Sequence, residues 1–442
     1  MARLPIVLTM LFMLAACGSE SPAPEPAEAE PSAPPAPPPP GIGITAFSGA
    51  TIWDGTGRAA IRDQHLLVRD GRIIGIEAEV PEGATVIDVD EHWIIPGFVN
   101  AHSHVSGRWA PDDVTDPVER VRADLTLYAQ YGVTTVLSLG GIPREALGLR
   151  ASRDQSAINH ARFYVAGNVV ADNVASAARA TALENVALEV DWIKLRVDDN
   201  LGTSEKMPWD AAQAAIDMAK QNGKRVATHV FYMEDAAMLL GMGTDLIAHS
   251  VRDQTVTDEF VQAMLDSGVC YVPTLAREVS TFVYAERPEF FDDPFFLAHA
   301  KRSEMDRLSD AGLMVRVANS PSAAAYRLAL EQAKVNLRVL LGSGVPIAFG
   351  TDSGPPGRFP GYFEHMEFEL MTDAGMTPRE ILRSATAVAA ECLGLEDVGT
   401  LEPGKWADLV VLEKSPLADI GATRSIAAVY VAGNRVPGST FD

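Results

Sequence analysis

The chain has 442 residues, of which 47% are hydrophobic and 21% charged, and its formal net charge is −23. This length exceeds one small domain and suits a large barrel with an accessory domain. The acidic excess argues against a nucleic-acid partner, because phosphate binding needs clustered lysine and arginine. It does not indicate a cationic substrate, since acidic surfaces mostly serve solubility.

Residues 1–17 resemble the signal peptide of a bacterial lipoprotein. Arg3 precedes an apolar run, Leu4 to Leu14, that is too short to cross a membrane. The run Leu14-Ala15-Ala16-Cys17 resembles a lipobox, which implies lipidation of Cys17; an ordinary cleaved signal peptide is the alternative. Gly18, rather than aspartate, follows the cysteine, as in lipoproteins that are sorted to the outer membrane. We therefore expect a protein that is lipid-anchored in the outer membrane and faces the periplasm.

Residues 18–42 are rich in proline, alanine and glutamate. Such a segment cannot bury apolar surface, and we expect an extended spacer between the membrane and the folded part of the chain. Only two cysteines follow Cys17, and two thiols do not make a disulfide framework. We therefore predict that Cys270 and Cys392 are buried, unreactive thiols.

Short strands and turns occupy residues 43–95, and the same pattern returns over residues 398–442. Asp70-Gly71 lies between two apolar runs and is typical of a tight hairpin. Leu409 to Leu412 and Ala427 to Ala432 have the character of strands. Neither piece is large enough to fold alone, so we predict one β-sandwich built from both terminal segments.

Residues 96–397 alternate apolar, β-branched runs with helical runs. Eight strand positions are predicted, at Val99, Thr134–Leu137, Phe163–Val165, Ile193, Val226–Ala227, Leu246–Ile247, Tyr271–Val272 and Ile347–Phe349. Eight alternations over roughly 300 residues predict an α/β fold of the (β/α)8 TIM-barrel type. The stretch from 277 to 338 exceeds a plain connection, and whether it forms a helical lid stays open.

The motif Pro96-Gly97-Phe98-Val99-Asn100-Ala101-His102-Ser103-His104 places two histidines one residue apart. Residues i and i+2 of a strand share a face, so both rings could reach one metal ion; two polar residues on an exposed edge are the alternative. Other predicted strands also end in metal-binding residue types. These residues are Lys194, His229, His249 and Asp352. Barrel enzymes keep their chemistry at the carboxyl ends of their strands.

This set of residues resembles the binuclear branch of the amidohydrolase superfamily, and more closely its imidazolonepropionase-like and prolidase-like members. Three further short motifs resemble those of the family: Ile52-Trp53-Asp54-Gly55, Gly350-Thr351-Asp352 and the run from Gly399 to Val410. The resemblance covers the chain from about Phe47 onwards. It implies two divalent metal ions, with His102, His104 and Asp352 on one and His229 and His249 on the other.

The resemblance implies that Lys194 is carboxylated and bridges the two ions, as the lysine at the corresponding position does in the family. Burial lowers the pKa of a lysine, and the neutral amine can react with carbon dioxide to give a carbamate. A salt bridge from Lys194 to Asp198 or Asp199 is the alternative. Zinc is the default metal for these ligand types, although manganese, cobalt and iron also suit them. The resemblance gives Asp352 a second, catalytic role, the transfer of a proton to the leaving group.

The sequence departs from the family pattern at two positions. Asn100 stands where many members carry aspartate, and Phe231 replaces a second histidine after the fifth strand. The sequence says less about which substrate the site binds. Tyr232, Arg108, Arg196 and Arg252 each lie beyond a predicted ligand and are candidates for binding a substrate anion. For each of the arginines taken alone, a structural salt bridge is the favoured alternative.

Three functions follow from these patterns. The first is a metal-dependent hydrolase that cleaves the C–N bond of a small substrate: a dipeptide, an N-acyl amino acid or a cyclic amide. The second is an aminohydrolase that deaminates a heterocycle, which Asn100 favours and Lys194 disfavours. The third is a catalytically inactive binding protein, which the complete ligand set disfavours. The sequence leaves open the substrate, the metal and whether the chain forms a homo-oligomer.

Overall fold

A computed structural model describes residues 41–441. Cys17, the predicted signal peptide, most of the predicted spacer and Asp442 lie outside the described residues. The strands are β1 Ile44–Ser48, β2 Thr51–Ile52, β3 His65–Arg69, β4 Arg72–Glu77, β5 Thr85–Asp88, β6 Trp93–Pro96, β7 Phe98–Ser103, β8 Val133–Ser138, β9 Arg162–Val165, β10 Trp192–Arg196, β11 Arg225–His229, β12 Leu246–Ala248, β13 Cys270–Val272, β14 Leu409–Leu412, β15 Ile426–Val431 and β16 Asn434–Arg435.

The described residues contain thirteen α-helices. They are α1 Pro117–Gln130, α2 Ala175–Ala187, α3 Trp209–Gln221, α4 Met233–Met242, α5 Asp258–Ser267, α6 Leu275–Val279, α7 Pro294–Leu297, α8 Arg302–Leu308, α9 Ala311–Ala318, α10 Pro321–Gly342, α11 Tyr362–Asp373, α12 Pro378–Arg383 and α13 Ala389–Leu393. Within residues 41–441, none of the helices has the length and apolarity needed to cross a bilayer.

Two antiparallel-rich sheets come from the ends of the described chain. One has the strand order β4-β3-β1-β5, and the other, β16-β15-β14-β6-β2, combines strands from both ends. The β3–β4 hairpin turns at Asp70 and Gly71, whose φ angles of 52° and 79° suit the tight turn predicted there. Phe47 and Tyr430 pack edge to face between the sheets, with ring centroids 4.8 Å apart.

The central strands are parallel and buried. They form two sheets, β7-β8-β9 and β10-β11-β12-β13. The two sheets approach each other where the amide of Asp191 donates to Val165 O at 2.8 Å. Seven of the eight predicted strand positions are strands, all with the β-branched and apolar composition that suits burial on both faces.

The eighth predicted strand, Ile347–Phe349, makes only isolated contacts. Ile347 forms a single parallel bridge with Tyr271, and the amide of Ala101 donates to Phe349 O at 2.9 Å. Pro346 has no N–H to donate, and the chain turns at Asp352, whose φ is 56°. The segment is therefore too short for a regular ladder, although it lies between β13 and β7.

Two helix ends help to place the site, because they aim the chain into the next strand. Gly243 ends α4 and Gly268 ends α5, both with left-handed φ angles (94° and 64°) that favour glycine. The strands β12 and β13 follow within a few residues. The sharp turn at each glycine thus returns the chain to the sheet in the parallel direction.

The segment from 277 to 338 is largely helical and is packed through aromatic rings. Phe296 contacts Phe359 with ring centroids 4.8 Å apart and stacks on Phe291 at 5.5 Å. Tyr131 of the loop after α1 donates its hydroxyl to Phe295 O at 3.0 Å. Apolar contacts of this kind fix the segment against the rest of the fold.

Cys270 and Cys392 form a disulfide, so the prediction of two free thiols is wrong. The bond joins β13 to α13 across 122 residues, with the Cα atoms 5.9 Å apart. Counting cysteines could not reveal this pair, because the two elements meet only in the folded chain. In the chain-entropy model a loop of this size stabilises the fold by on the order of 5 kcal/mol.

Candidate active site

Six potential metal ligands converge at the carboxyl ends of the parallel strands. His102 lies in β7, Lys194 in β10 and His229 at the end of β11. His104, His249 and Asp352 follow β7, β12 and the segment at Ile347–Phe349. The structure therefore brings together all of the residues that the sequence suggested as ligands.

The distances between these residues are those of a compact cluster. Asp352 Oδ1 lies 2.8 Å from His104 Nε2 and 3.5 Å from His102 Nε2. Lys194 Nζ lies 3.3 Å from His102 Nε2. The ring of His249 is 4.4 Å from that of His102 and 4.1 Å from that of His229, measured between centroids.

Two of these residues have a left-handed backbone, which is costly for residues other than glycine. The φ angle is 75° at His249 and 56° at Asp352. The Asp352 conformation is held by two amides, since Asp352 N–H donates to His102 O at 2.7 Å and Thr351 N–H donates to the same oxygen at 3.1 Å. Such strain, of order 1–3 kcal/mol each, persists only where the surroundings enforce it and clusters at functional sites.

Three histidines are oriented by a hydrogen bond on one ring nitrogen. His104 Nδ1 donates to Gly140 O at 3.0 Å, and His249 Nδ1 lies 2.7 Å from Thr274 Oγ1. His229 Nε2 lies 3.2 Å from Asp198 Oδ2. Metal-binding histidines use such outer partners to fix the tautomer and leave the other nitrogen for the ion.

The electrostatics of the cluster favour neutral donors. Burial lowers the pKa of His229 to about 4 and lowers those of His102 and His249 well below the usual value. Burial also lowers the pKa of Lys194 to about 7. Burial acts to raise the pKa of Asp352, but the Arg358 guanidinium and the neighbouring histidines hold it well below its ordinary value. Neutral imidazole and ionised carboxylate are the forms that bind metal.

The residues present fit a metal centre. Ligand atoms from His102, His249 and Asp352 all lie within 4.8 Å of one another. Among the described residues, Nδ1 of the fully buried His102 has no hydrogen-bond partner. Imidazole and carboxylate donors in one pocket suit zinc and related divalent ions.

The alternative role for Lys194, a salt bridge, is not what the structure shows. Asp198 instead accepts from Arg196 Nε at 3.0 Å and contacts His229. Asp199 accepts from the Tyr232 hydroxyl at 2.8 Å. Both carboxylates therefore have other partners, and Lys194 is directed at the histidine cluster.

Of the four candidate substrate residues, only Arg196 lines the cavity of about 420 Å³ in front of the cluster. Arg108 pairs with Glu304 at 3.2 Å beside a different cavity. Arg252 is fully buried, donates to Val230 O at 2.9 Å and pairs with Glu278. The Tyr232 hydroxyl donates its hydrogen bond to Asp199. The structure places Arg108, Tyr232 and Arg252 outside the lining of this cavity, and their role in binding substrate stays a prediction.

Sequence reasoning missed two arginines that do line the cavity. Arg358 Nη1 pairs with Asp352 Oδ2, and Arg277 Nε lies 3.9 Å from the same oxygen. Arg277 also donates to Glu278 Oε2 at 3.0 Å. Arg277 lies five residues after the predicted strand end at Val272 and Arg358 lies nine after the one at Phe349, so neither has the position directly after a strand that drew attention to the ligands.

Comparisons with the sequences of known proteins find relatives of this chain. An uncharacterized protein of Mycobacterium tuberculosis is 30% identical over 223 residues, 48% of this chain and 57% of that protein, so the match spans little more than half of that relative. An imidazolonepropionase of Deinococcus deserti is 24% identical over 396 residues, 85% of this chain and 92% of that protein.

Solved structures share the fold. A Xaa-Pro dipeptidase with bound methionine aligns with a TM-score of 0.69 at 22% identity, covering 89% of this chain and 99% of the dipeptidase. Phenylurea hydrolase B aligns with a TM-score of 0.67 at 20% identity, covering 89% and 97% of the two chains. The model of the amidohydrolase family matches residues 93–436. With its donor cluster and most of its length inside that match, the chain belongs to the amidohydrolase family.

Proposed function

We propose that this protein is a metal-dependent hydrolase that cleaves an amide or peptide C–N bond in a small substrate. The observation that carries the proposal is the convergence of four histidines, one lysine and one aspartate on a single cavity. The proposal includes a (β/α)8 barrel, closed by the Ile347–Phe349 segment between β13 and β7, with the cavity at the carboxyl ends of its strands.

Each donor has a role in this proposal. His102, His104 and Asp352 would hold one divalent ion and His229 and His249 a second, with carboxylated Lys194 between them. The bound ions would activate a water molecule and polarise the substrate carbonyl. Asp352, at the centre of the cluster, would move the proton from that water to the leaving nitrogen.

Arginines indicate what kind of substrate the cavity takes. Arg196, Arg277 and Arg358 all line it. Arginine binds carboxylates through two parallel hydrogen bonds, and a cavity with three guanidinium groups favours an anionic substrate. A dipeptide, an N-acyl amino acid and a cyclic amide with a carboxylate all meet this requirement, and the dipeptidase neighbour supports the first of these.

The direct test is a hydrolysis screen with the metal-loaded protein. The panel contains dipeptides, N-acyl amino acids and carboxylated lactams, each beside its uncharged ester or amide. We expect turnover of at least one carboxylated member and a loss of about 10²–10⁴-fold in the Asp352→Asn variant. Release of ammonia from a heterocycle with no amide cleavage would instead make the protein a deaminase.

Lys194 should control metal loading in a manner that depends on pH. Since burial lowers the pKa of Lys194 to about 7, the neutral amine that takes up carbon dioxide increases as the pH rises through that value. Apoprotein given zinc and bicarbonate should therefore regain more metal and activity at about pH 8 than at about pH 6.

Lys194→Ala should lose metal and activity together, and a short carboxylic acid should partly restore both. Lys334→Ala is the control, because Lys334 pairs with Glu331 and Asp373 on the surface. Full metal content in Lys194→Ala would show that the lysine does not bridge the ions.

Arg277 and Arg358 should determine affinity for the anionic group. Replacing either by methionine should raise KM for a carboxylated substrate by about 10–100-fold, the worth of a charge-assisted hydrogen bond, in addition to any loss of kcat that follows from their contacts with Asp352. The corresponding ester should be affected far less. Arg108→Met, whose partner is Glu304, serves as the control. Equal losses on acid and ester would argue against anion recognition by these two residues.

We further propose that the enzyme is lipid-anchored in the bacterial envelope and faces the periplasm. The sequence around Cys17 supports this, and so does the disulfide, because disulfides persist in oxidising compartments. Wild-type protein should fractionate with membranes, carry lipid and lack free thiols, whereas Cys17→Ser should lose the lipid. Unlipidated, soluble wild type with two reactive thiols would refute the proposal.

A further inference from the structure

We propose that Glu364 is a positioning residue that holds Asp352 through a buried hydrogen-bond network, and that residue 100 is asparagine because its partner there is a carboxylate. The inference rests on the proposed function for its kinetic readout. Neither Glu364 nor Asn100 lines the cavity, so both would act through other residues.

Glu364 lies in the first turn of α11 and is completely buried. Its Oε1 accepts three hydrogen bonds: from Asn100 Nδ2 at 2.7 Å, Thr351 Oγ1 at 2.8 Å and Ser353 Oγ at 2.6 Å. Its Oε2 accepts from the amide of Gly361 at 2.6 Å. Four donors thus surround one carboxylate below the cluster.

The network reaches both sides of the metal-ligand cluster. Thr351 and Ser353 flank Asp352, and Ser353 N–H also donates to Thr351 Oγ1 at 3.1 Å. On the other side, Asn100 Oδ1 accepts from the amide of His102 at 2.9 Å. One carboxylate therefore ties the strained turn at Asp352 to the strand that carries His102.

The chemistry of the network selects asparagine at position 100. Asn100 Nδ2 donates to Glu364 and Thr351, and Asn100 Oδ1 accepts from the backbone amide of His102. The side-chain amide of Asn100 is therefore used both as donor and as acceptor. Aspartate there would have no hydrogen to donate and would place a second carboxylate oxygen 2.7 Å from Glu364. This account explains Asn100 without deaminase chemistry.

A charge swap tests the pairing. Asn100→Asp leaves two facing acceptors. Glu364→Gln sets its new amide donor against either Asn100 Nδ2 or, with the amide flipped, the Gly361 N–H, so each single change breaks the network. In the double variant Asn100→Asp/Glu364→Gln the direction of the hydrogen bond is reversed, because the amide then stands at position 364 and the carboxylate at position 100. The hydroxyl of Thr351 can turn to serve either arrangement.

We expect each single variant to unfold at a lower temperature and to lose kcat by about tenfold or more, with KM and metal content little changed. The double variant should recover much of both losses. Glu367→Gln is the matched control: Glu367 is equally buried on α11 but accepts from Leu275 and Ala276 amides. Combined with Asn100→Asp, it should give no recovery.

Two outcomes would overturn the inference. One is a double variant whose losses equal the product of the single losses, as for residues that do not interact. The other is a lower unfolding temperature with unchanged kcat in each single variant, which would make Glu364 a stabilising residue only. The unfolding temperatures need no substrate. Recovery of stability with no hydrolysis of any substrate would therefore reject the proposed function and leave the pairing intact.

Discussion

The whole site depends on the burial of many ligand atoms at one point. Four imidazoles, an amine and a carboxylate lie close together, and His102, Lys194 and His249 are almost completely shielded from water. Burial penalises the charged forms, which leaves lone pairs on neutral rings directed into a shared space. Such a constellation is costly unless a cation completes it, and this requirement connects the fold to its chemistry.

The parallel strands bring the ligand atoms together at one edge of the sheets. The strands β7, β10, β11 and β12 and the segment at Ile347–Phe349 contribute the ligands, and the strand spacing sets the separation between them. What remains is orientation, which outer partners such as Gly140, Thr274 and Asp198 supply for three of the histidines. The buried carboxylate of Glu364 would do the same for the turn at Asp352. In this account the strands place the ligands and the outer hydrogen bonds aim them.

The sequence predicted the parts of this arrangement that have local signatures. Seven strands follow from β-branched runs, and the ligand cluster follows from polar residues after those runs. The segment at Ile347–Phe349 has the same signature, but Pro346 and the turn at Asp352 leave it only isolated bridges. Long-range partners have no such signature. The Cys270–Cys392 bond and the Asn100–Glu364 pair join residues more than a hundred positions apart. The same limit applies to Arg252 and Tyr232, which lie beyond a ligand in the sequence but outside the lining of the cavity, whereas Arg277 and Arg358 line it.

The central claim is that the cluster binds two divalent ions, and elemental analysis of the metal-loaded protein tests it most directly. The account predicts close to two ions per wild-type chain and close to one when His229 and His249 are both replaced by alanine, with folding of each protein verified by thermal unfolding. One ion or fewer in fully loaded wild type, or a stoichiometry that the double replacement leaves unchanged, would contradict it.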